Sequence, residues 1–170
     1  MAVAATECRR KLCERAQRHI RAGQRTALAG ARSLTVLADS GVLYALVDRD
    51  DAWHSRVRTW WERSREDVLV PVVVLPEVSY LLGRRIGADA ELAFTRAIAD
   101  GEFTLEGLTS EDVERAADLM SIYLDTPLGL VDACVVAAAE RLDIVKVLTV
   151  DRRHFSLVRP LHVPSLRLLP

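Results

Sequence analysis

Residues 130–155, LVDACVVAAAERLDIVKVLTVDRRHF, decide the fold because they predict a helix followed directly by a buried strand. The segment 130–142 is rich in alanine and apolar along one broad side, as expected of a helix that packs on a sheet. The run 145–150 is apolar and β-branched, which is typical of a buried strand. Asp151 ends that run, and a basic cluster follows it at once. Its carboxylate either caps a turn or is aimed into a functional site.

The same alternation of strand and helix recurs along the chain after residue 33. Alternating elements of this kind indicate an α/β fold with three layers, α/β/α, around a central and mostly parallel sheet. The last strand is expected at the sheet edge, because Pro164 cannot donate to a strand ladder. We predict strands at 34–38, 68–74, 103–107, 145–150 and 161–169, and helices at 40–47, within 48–66, and at 75–85, 88–100, 109–125 and 130–142.

The charge is distributed unevenly along the 170 residues. Residues 1–33 carry eight Lys or Arg and two Glu, whereas residues 34–170 carry fifteen Lys or Arg and twenty-two Asp or Glu. The apolar stripe of the first segment is thin and glycines interrupt it, so little of that segment can be buried. We therefore interpret residues 1–33 as a basic, loosely ordered extension that is dispensable for folding, and residues 34–170 as one domain.

Composition also excludes several classes of protein. No apolar run approaches the roughly 18–20 residues that span a bilayer, and the N-terminal segment has no signal-peptide core. Three cysteines at irregular positions imply no disulfide framework, so we predict a reducing, cytoplasmic environment. Cys8, Cys13 and His19 resemble part of a zinc site, but a fourth ligand is missing.

Four acidic residues are expected at one edge of the predicted sheet. Asp39 and Asp151 directly follow strands, and Glu77 stands three residues beyond another. Asp132 lies in the first turn of the alanine-rich helix, which must begin at the same edge if its crossover is right-handed. In an open parallel sheet, the ligand crevice lies outside these carboxyl ends.

Each of these acids also has an ordinary explanation as a helix cap or as a partner of a helix dipole. Taken together, four neighbouring carboxylates would repel one another and resist ionisation. A divalent cation removes that conflict, and all-oxygen ligation favours Mg²⁺ or Mn²⁺ over Zn²⁺. The chain has no glycine-rich phosphate loop and no evident Ser or Cys nucleophile. Metal-dependent hydrolysis of a nucleic-acid backbone is the chemistry that fits best.

The chain resembles the PIN-domain ribonucleases, and is most similar to the VapC toxins of bacterial toxin–antitoxin pairs. The resemblance covers residues 35–169 and rests on four motifs in order. The family's acidic residues correspond to Asp39, Glu77, Asp132 and Asp151, with supporting hydroxyl groups at Ser40 and Thr149. The motifs are LADSGVLYALVDRDDAWH, LPEVSYLL, LGLVDACVVAAAERL and VLTVDRRHF.

Two features depart from the family pattern, and one histidine matches it. Residues 1–33 precede the point where such proteins begin, and Ser40-Gly41 replaces the frequent Thr-Ser. His54 matches a common family position, and we interpret it as structural.

The resemblance implies a PIN fold, an Mg²⁺- or Mn²⁺-dependent endoribonuclease that cuts structured RNA, a homodimer, and neutralisation by a cognate VapB-type antitoxin. Asp151 would then help to hold metal or orient water, and Arg152 and Arg153 would meet RNA phosphates. Solvated turn residues are the equally weighted alternative for the two arginines.

Other functions remain as alternatives. A housekeeping PIN nuclease of RNA processing would share the chemistry, and a non-catalytic PIN module would bind RNA or a protein. Two other classes do not fit. A haloacid-dehalogenase-like phosphatase needs a second acid at the position of Gly41. A receiver domain needs a Lys at the end of a late strand, whereas Lys146 lies near the start of one.

A second hypothesis concerns association. The aromatic residues near the first two helices, together with the apolar side of LAFTRAI, are expected either to form a contact with a second copy or an antitoxin, or to pack in the core. These aromatic residues are Tyr44, Trp53, Trp60 and Trp61.

Overall fold

The computed structural model of the chain describes residues 34–126 and 128–170. The predictions for residues 1–33, including the loosely ordered extension and the partial zinc site, therefore lie outside the described residues. None of the helices in the described ranges has the length and hydropathy of a membrane-spanning segment.

Five parallel strands form one sheet in the order β3-β2-β1-β4-β5. The first three strands run outward in one direction, and the chain then crosses back so that β4 pairs with the other side of β1. Right-handed crossovers place the helices before and after this reversal on opposite faces, which is the predicted three-layer α/β/α architecture. The strands are β1 (Thr35–Ala38), β2 (Asp67–Pro71), β3 (Thr104–Glu106), β4 (Lys146–Leu148) and β5 (Arg167–Leu169).

The helices agree closely with the predicted ones where the apolar pattern is long. The alanine-rich helix and the helix that starts at Leu75 have the predicted bounds. In the described ranges the helices are α1 (Ser40–Val47), α2 (His54–Arg63), α3 (Leu75–Arg85), α4 (Ala88–Ala99), α5 (Ser110–Ile122), α6 (Leu130–Leu142) and α7 (Arg152–Leu157).

Three predicted elements are wrong in extent or kind. The strand predicted at 68–74 ends at Pro71, and Val72–Val74 form a 3₁₀ turn into α3, because proline gives the ladder no donor. The strand predicted at 161–169 is confined to Arg167–Leu169. The segment after Asp151 is a short helix, α7, rather than a turn.

Helix α6 carries the core on its face of the sheet. Its residues 133–139 are all buried, and most have small side chains that let the helix axis approach the strands closely. Two arginine contacts fasten α6 to α5: Arg115 donates to both oxygens of Glu140 through two nitrogens, and Arg141 Nε donates to both oxygens of Asp112. These contacts hold the C-terminal end of α6 against α5.

The reversal of strand order lies between β1 and β4. The backbone N–H of Asp39 donates to Leu148 O at 3.0 Å, which extends the pairing of the two strands to their carboxyl ends. Ligand crevices of open parallel sheets form at this kind of switch point. The fold therefore directs the residues after β1 and β4 into one crevice.

Candidate active site

Asp39 is the buried centre of this crevice. It is 2% exposed and lies at the N-cap of α1, where its Oδ1 accepts from the backbone N–H of Ser40 at 2.6 Å. The Ser40 hydroxyl also approaches Oδ1 at 3.3 Å. Burial raises the pKa of Asp39, and hydrogen bonds from Thr149 and Ser40 oppose that rise. The capping role and a role in the site therefore coexist in one carboxylate.

Thr149 joins the two strand ends through its fully buried hydroxyl. Its Oγ1 donates to Asp39 Oδ2 at 2.8 Å and accepts from the backbone N–H of Asp151 at 2.9 Å. One side chain thus orients the acid after β1 and positions the backbone of the acid after β4. The structure places Ser40 and Thr149 as direct supports of Asp39.

Gly41 explains one departure from the family pattern. A Cβ built on this glycine would lie 2.6 Å from Cγ2 of Val150, which is closer than carbon atoms can approach. The first turn of α1 therefore packs closely on Val150, and a side chain at position 41 would require Val150 to shift.

Asp132 projects from the first turn of α6 toward the same crevice. Its pKa is raised to about 7, first by burial and then by the carboxylates of Asp39 and Asp151, with a smaller contribution from Glu77. His154 acts in the opposite direction. Within the part of the chain that the structure describes, no arginine or lysine is among the main groups that stabilise its charged form. The ionised form of Asp132 is therefore unfavourable unless a cation binds beside it.

Asp151 caps α7 and also faces Asp132. Its Oδ1 accepts from the backbone N–H groups of Arg153 and His154, at 2.9 and 3.1 Å. Its Oδ2 lies 2.9 Å from His154 Nδ1, and that nitrogen is 3.6 Å from Asp132 Oδ2. Both interpretations offered for Asp151 are thus realised, because one oxygen caps the helix while the other lines the crevice.

Glu77 is more peripheral than the three aspartates. It is exposed in the first turn of α3 and accepts no hydrogen bond from the described residues. Its charge nevertheless contributes to the raised pKa values of Asp39 and Asp132. Of the four predicted acids, the structure brings Asp132 and Asp151 together and links Asp39 to the Asp151 backbone through Thr149, whereas Glu77 is exposed at the start of α3.

The donor set fits a divalent cation. Ligand atoms of Asp132, Asp151 and His154 lie within 4.8 Å of one another. Adjacent ligands of an octahedral ion, each about 2.1 Å from it, are separated by about 3 Å. The separations of 2.9 and 3.6 Å around His154 Nδ1 are compatible with that arrangement. Carboxylates together with one imidazole suit Mn²⁺ as well as Mg²⁺.

His154 is the residue that the sequence analysis noticed but did not assign to the site. Its position three residues after Asp151, within one helical turn, could have indicated it. The sequence analysis expected a turn there. The pairing of Asp151 with His154 went unrecognised because it depends on the helical conformation of α7. His54, in contrast, is structural as interpreted: its Nδ1 lies 2.8 Å from the carbonyl oxygen of Ala45.

The two arginines after Asp151 differ from each other. The Arg152 side chain donates to the carbonyl oxygen of Pro170 at 2.6 Å and lies 5.9 Å from the Trp53 ring. Arg153 is exposed, and its side chain forms no ion pair with the described residues. Arg152 therefore has a structural task at the edge of the crevice, whereas Arg153 points to solvent beside it.

For three of the aromatic residues the core-packing alternative applies. Tyr44, Trp61 and Phe94 are each less than a tenth exposed and belong to the core. Trp53 and Trp60 are half-buried.

Comparison with known proteins identifies the family. The PIN domain family matches residues 36–159. Ribonuclease VapC26 of Mycobacterium tuberculosis is 35% identical over 126 residues, which are 74% of this chain and 93% of that protein. The crystal structure of Mycobacterium tuberculosis VapC20, a sarcin-ricin loop cleaving toxin, superposes with a TM-score of 0.68 at 24% identity, over 76% of this chain and 98% of that one. DNA-bound VapBC from Salmonella typhimurium gives a TM-score of 0.58 at 13% identity, over 79% and 96%.

The matched region runs from β1 to the residues just after α7, so it includes each of the four acids. The chain belongs to the PIN-domain family, among the VapC-type ribonucleases.

Proposed function

We propose that the protein is a metal-dependent endoribonuclease that acts as the toxin of a VapBC-type toxin–antitoxin pair. The observation that supports the proposal is the close approach of Asp132, Asp151 and His154 beside the buried Asp39, where, among the described residues, no arginine or lysine is among the main groups that lower the pKa of Asp39 or Asp132. The 35% identity to a ribonuclease over most of both chains supports the same activity. Cleavage of an RNA phosphodiester bond by an activated water is the reaction that follows.

Asp39, Asp132 and Asp151 are the residues proposed to hold Mg²⁺ or Mn²⁺, with Glu77 at the rim and His154 as an added nitrogen ligand. A divalent ion bound there supplies a water of lowered pKa and positive charge that offsets the charge developing on the phosphate. Carboxylates must be ionised to serve as ligands, so the raised pKa of Asp132 means that it releases a proton on loading near neutral pH.

The chain's own residues prepare this site before any ligand arrives. Ser40 and Thr149 hold the Asp39 carboxylate in one orientation through three hydrogen bonds. His154 Nδ1 lies within hydrogen-bond distance of Asp151 Oδ2 and 3.6 Å from Asp132 Oδ2, so it stands between the two carboxylates. Because these oxygens are already oriented, little free energy is needed to reorganise them during the reaction.

The partners are proposed from the relatives. Solved structures of similar fold include a toxin–antitoxin complex from Klebsiella pneumoniae. We propose structured RNA as substrate and a VapB-type protein as antitoxin, with a homodimer as the expected assembly. A housekeeping PIN nuclease would share the chemistry, and a short antitoxin-like reading frame beside the gene would favour the toxin.

The test is cleavage of transfer and ribosomal RNA by the purified full chain in Mg²⁺, Mn²⁺ or EDTA, with products mapped by primer extension. Discrete cuts that require metal support the proposal, and Asp39→Asn should abolish them. Equal cleavage in EDTA, or by the Asp39→Asn variant, would contradict the metal-dependent mechanism.

The ligand role of His154 needs a spectroscopic test. In a Mn²⁺-loaded sample, pulsed electron paramagnetic resonance should show a ¹⁴N coupling that His154→Gln removes. If Mn²⁺ binds without any ¹⁴N coupling, His154 only orients Asp151.

A further inference from the structure

A groove of about 800 Å³ lies beside the crevice, between α2 and β5. Its volume is within the range of about 300–1,000 Å³ typical of ligand sites. Arg56, Trp60 and Arg63 occur at positions i, i+4 and i+7 of α2, so they share one face of that helix. Arg65 follows the helix, and Arg167 begins β5 on the other side. The groove therefore brings four arginines and one tryptophan together.

Among the residues that the structure describes, three of these arginines have no acidic partner. Within the described ranges, no carboxylate forms an ion pair with Arg63, Arg65 or Arg167. Arg56 lies 5.4 Å from the Trp53 ring, a cation–π contact that leaves its charge in place. The acid in the lining, Glu66, is engaged by Lys146 at 2.6 Å. The groove thus concentrates positive charge in a region, residues 34–170, that carries an excess of acids.

One end of the groove reaches the edge that carries the acids, and the other end lies toward the start of β4. Strand β5 is parallel to β4, with Leu169 level with Leu148 and Arg167 level with Lys146, so Pro170 lies beside the start of the crevice. Pro170 lines the groove, and its carbonyl oxygen accepts from Arg152, the residue directly after Asp151. Arg152 and Pro170 therefore connect the groove to the residues that follow β4.

We infer that this groove is a binding site for the sugar-phosphate backbone of single-stranded RNA that flanks the cleaved bond. The identity of the polyanion rests on the proposed ribonuclease function. Planar guanidinium groups bind phosphates in a bidentate manner, and the half-buried indole of Trp60 offers a face for stacking a base. An acidic peptide would use the arginines but would have no need for continuity with the crevice.

The experiment measures binding of a fluorescein-labelled RNA of about 20 nucleotides, longer than the roughly 4–16 nucleotides that one single-strand site covers. The full chain carries Asp39→Asn, so that the probe stays intact. Arg63→Gln with Arg167→Gln is compared with Arg84→Gln with Arg96→Gln. The control arginines are exposed and lie in the last turns of α3 and α4, outside the groove.

We expect the groove pair to weaken binding about tenfold near 0.1 M salt and to lower the slope of log Kd against log salt by about 1.4, since each phosphate contact on a single strand contributes about 0.7. The control pair should change the slope by less than half as much. Arg63→Lys with Arg167→Lys should restore most of the slope, because the charge returns. Equal effects of the groove and control pairs would overturn the inference.

Two further arms separate the explanations. A polyglutamate peptide that depends on the groove pair, with RNA affinity unchanged, would assign the groove to an acidic protein partner and overturn the RNA site. In Mn²⁺, cleavage by a chain with native Asp39 should show a raised KM and a nearly unchanged kcat for the groove pair. Absence of cleavage by the native chain, with groove-dependent RNA binding retained, would overturn the proposed function but leave the groove as a polyanion site.

Discussion

The acidic residues near the two ends of helix α6 have pKa values that are shifted in opposite directions. At its C-terminal end, arginines from α5 and α6 donate to Glu140 and Asp112. Burial, the largest influence, would raise the pKa of these two carboxyls, but the arginine contacts together with backbone N–H groups outweigh it and hold both pKa values below the usual range. At its N-terminal end, Asp132 has no arginine partner among the described residues, and its pKa is raised to about 7.

The difference separates acids that maintain the fold from acids that are available for function. A buried carboxylate with an arginine beside it is already neutralised, and it fastens one helix to another. A group of buried carboxylates without such a partner destabilises the folded chain unless a cation binds. Carboxyl groups with strongly shifted pKa values of this kind cluster at functional sites, which agrees with the proposed metal site.

The largest expected effect is the loss of RNA cleavage when Asp132, at the N-terminal end of α6, is replaced. Asp132→Asn should lower RNA cleavage by more than about 100-fold, beyond the 10–100-fold typical of losing an outer-shell partner of a metal site. The fold should be as stable or more stable, because one of several repelling charges is removed. Cleavage rates and melting curves of the same preparation check this. Wild-type cleavage by Asp132→Asn would place the chemistry elsewhere.

Thr149→Val tests the support of Asp39. The replacement keeps the shape but removes the hydroxyl that donates to Asp39 Oδ2 at 2.8 Å. We expect metal affinity to fall about 10–100-fold, as for other outer-shell partners, with a smaller loss of kcat at saturating metal. Titration with Mn²⁺ followed by cleavage assays measures both quantities. Unchanged affinity would mean that Ser40 alone suffices to orient Asp39.

The opposite end of α6 should respond through stability instead of activity. Asp112 is 2% exposed, caps α5 together with Thr109, and receives Arg141. Asp112→Asn should therefore reduce the free energy of unfolding by about 1–3 kcal/mol. Specific activity of the folded fraction should stay near that of the wild type. Denaturant unfolding checks the first expectation, and a large loss of activity without a loss of stability would remove the contrast.

A pH series gives the smallest effect. Between the usual value of 3.8 and about 7, the folded chain binds the Asp132 proton more tightly than the unfolded chain. This contribution to stability is lost as the pH rises through that window. Metal-free wild type and Asp132→Asn should thus melt at similar temperatures near pH 4, and the Asn variant should gain a few degrees by pH 8. Parallel melting temperatures across the series would show that Asp132 titrates normally.

Fold-level rules placed the candidate acids near one another more readily than local patterns placed the short elements around them. Asp39 and Asp151 follow apolar strands, and Asp132 interrupts an apolar helix of 13 residues, so fold-level rules brought them together. Helix α7 escaped prediction because its six residues are too few for a periodic pattern, and its start depends on hydrogen bonds from the backbone to Asp151. The partnership of His154 with Asp132 depended on that helix.

Long-range contacts were beyond the same reasoning. Arg63 and Arg167 are separated by more than a hundred residues, and only the position of β5 at the sheet edge makes them line one groove. The core position of Trp61 likewise depends on residues far along the chain. The Phe103 ring contacts Trp61 edge to face, and the Phe94 ring contacts Phe103. An amphipathic pattern shows which face is apolar, but not whether another element or another chain covers it.

The most direct test of the central claim is Mn²⁺ binding, measured by the electron paramagnetic resonance signal of free Mn²⁺ in the wild type, Asp132→Asn and Asp112→Asn. Both variants remove one carboxylate charge from α5 or α6, and the account predicts opposite outcomes. Asp112→Asn should bind like the wild type, whereas Asp132→Asn should bind more than about tenfold more weakly, as expected when a ligand that needs ionisation is lost. Equal Mn²⁺ affinities for all three chains would contradict the assignment of the crevice acids to a metal site.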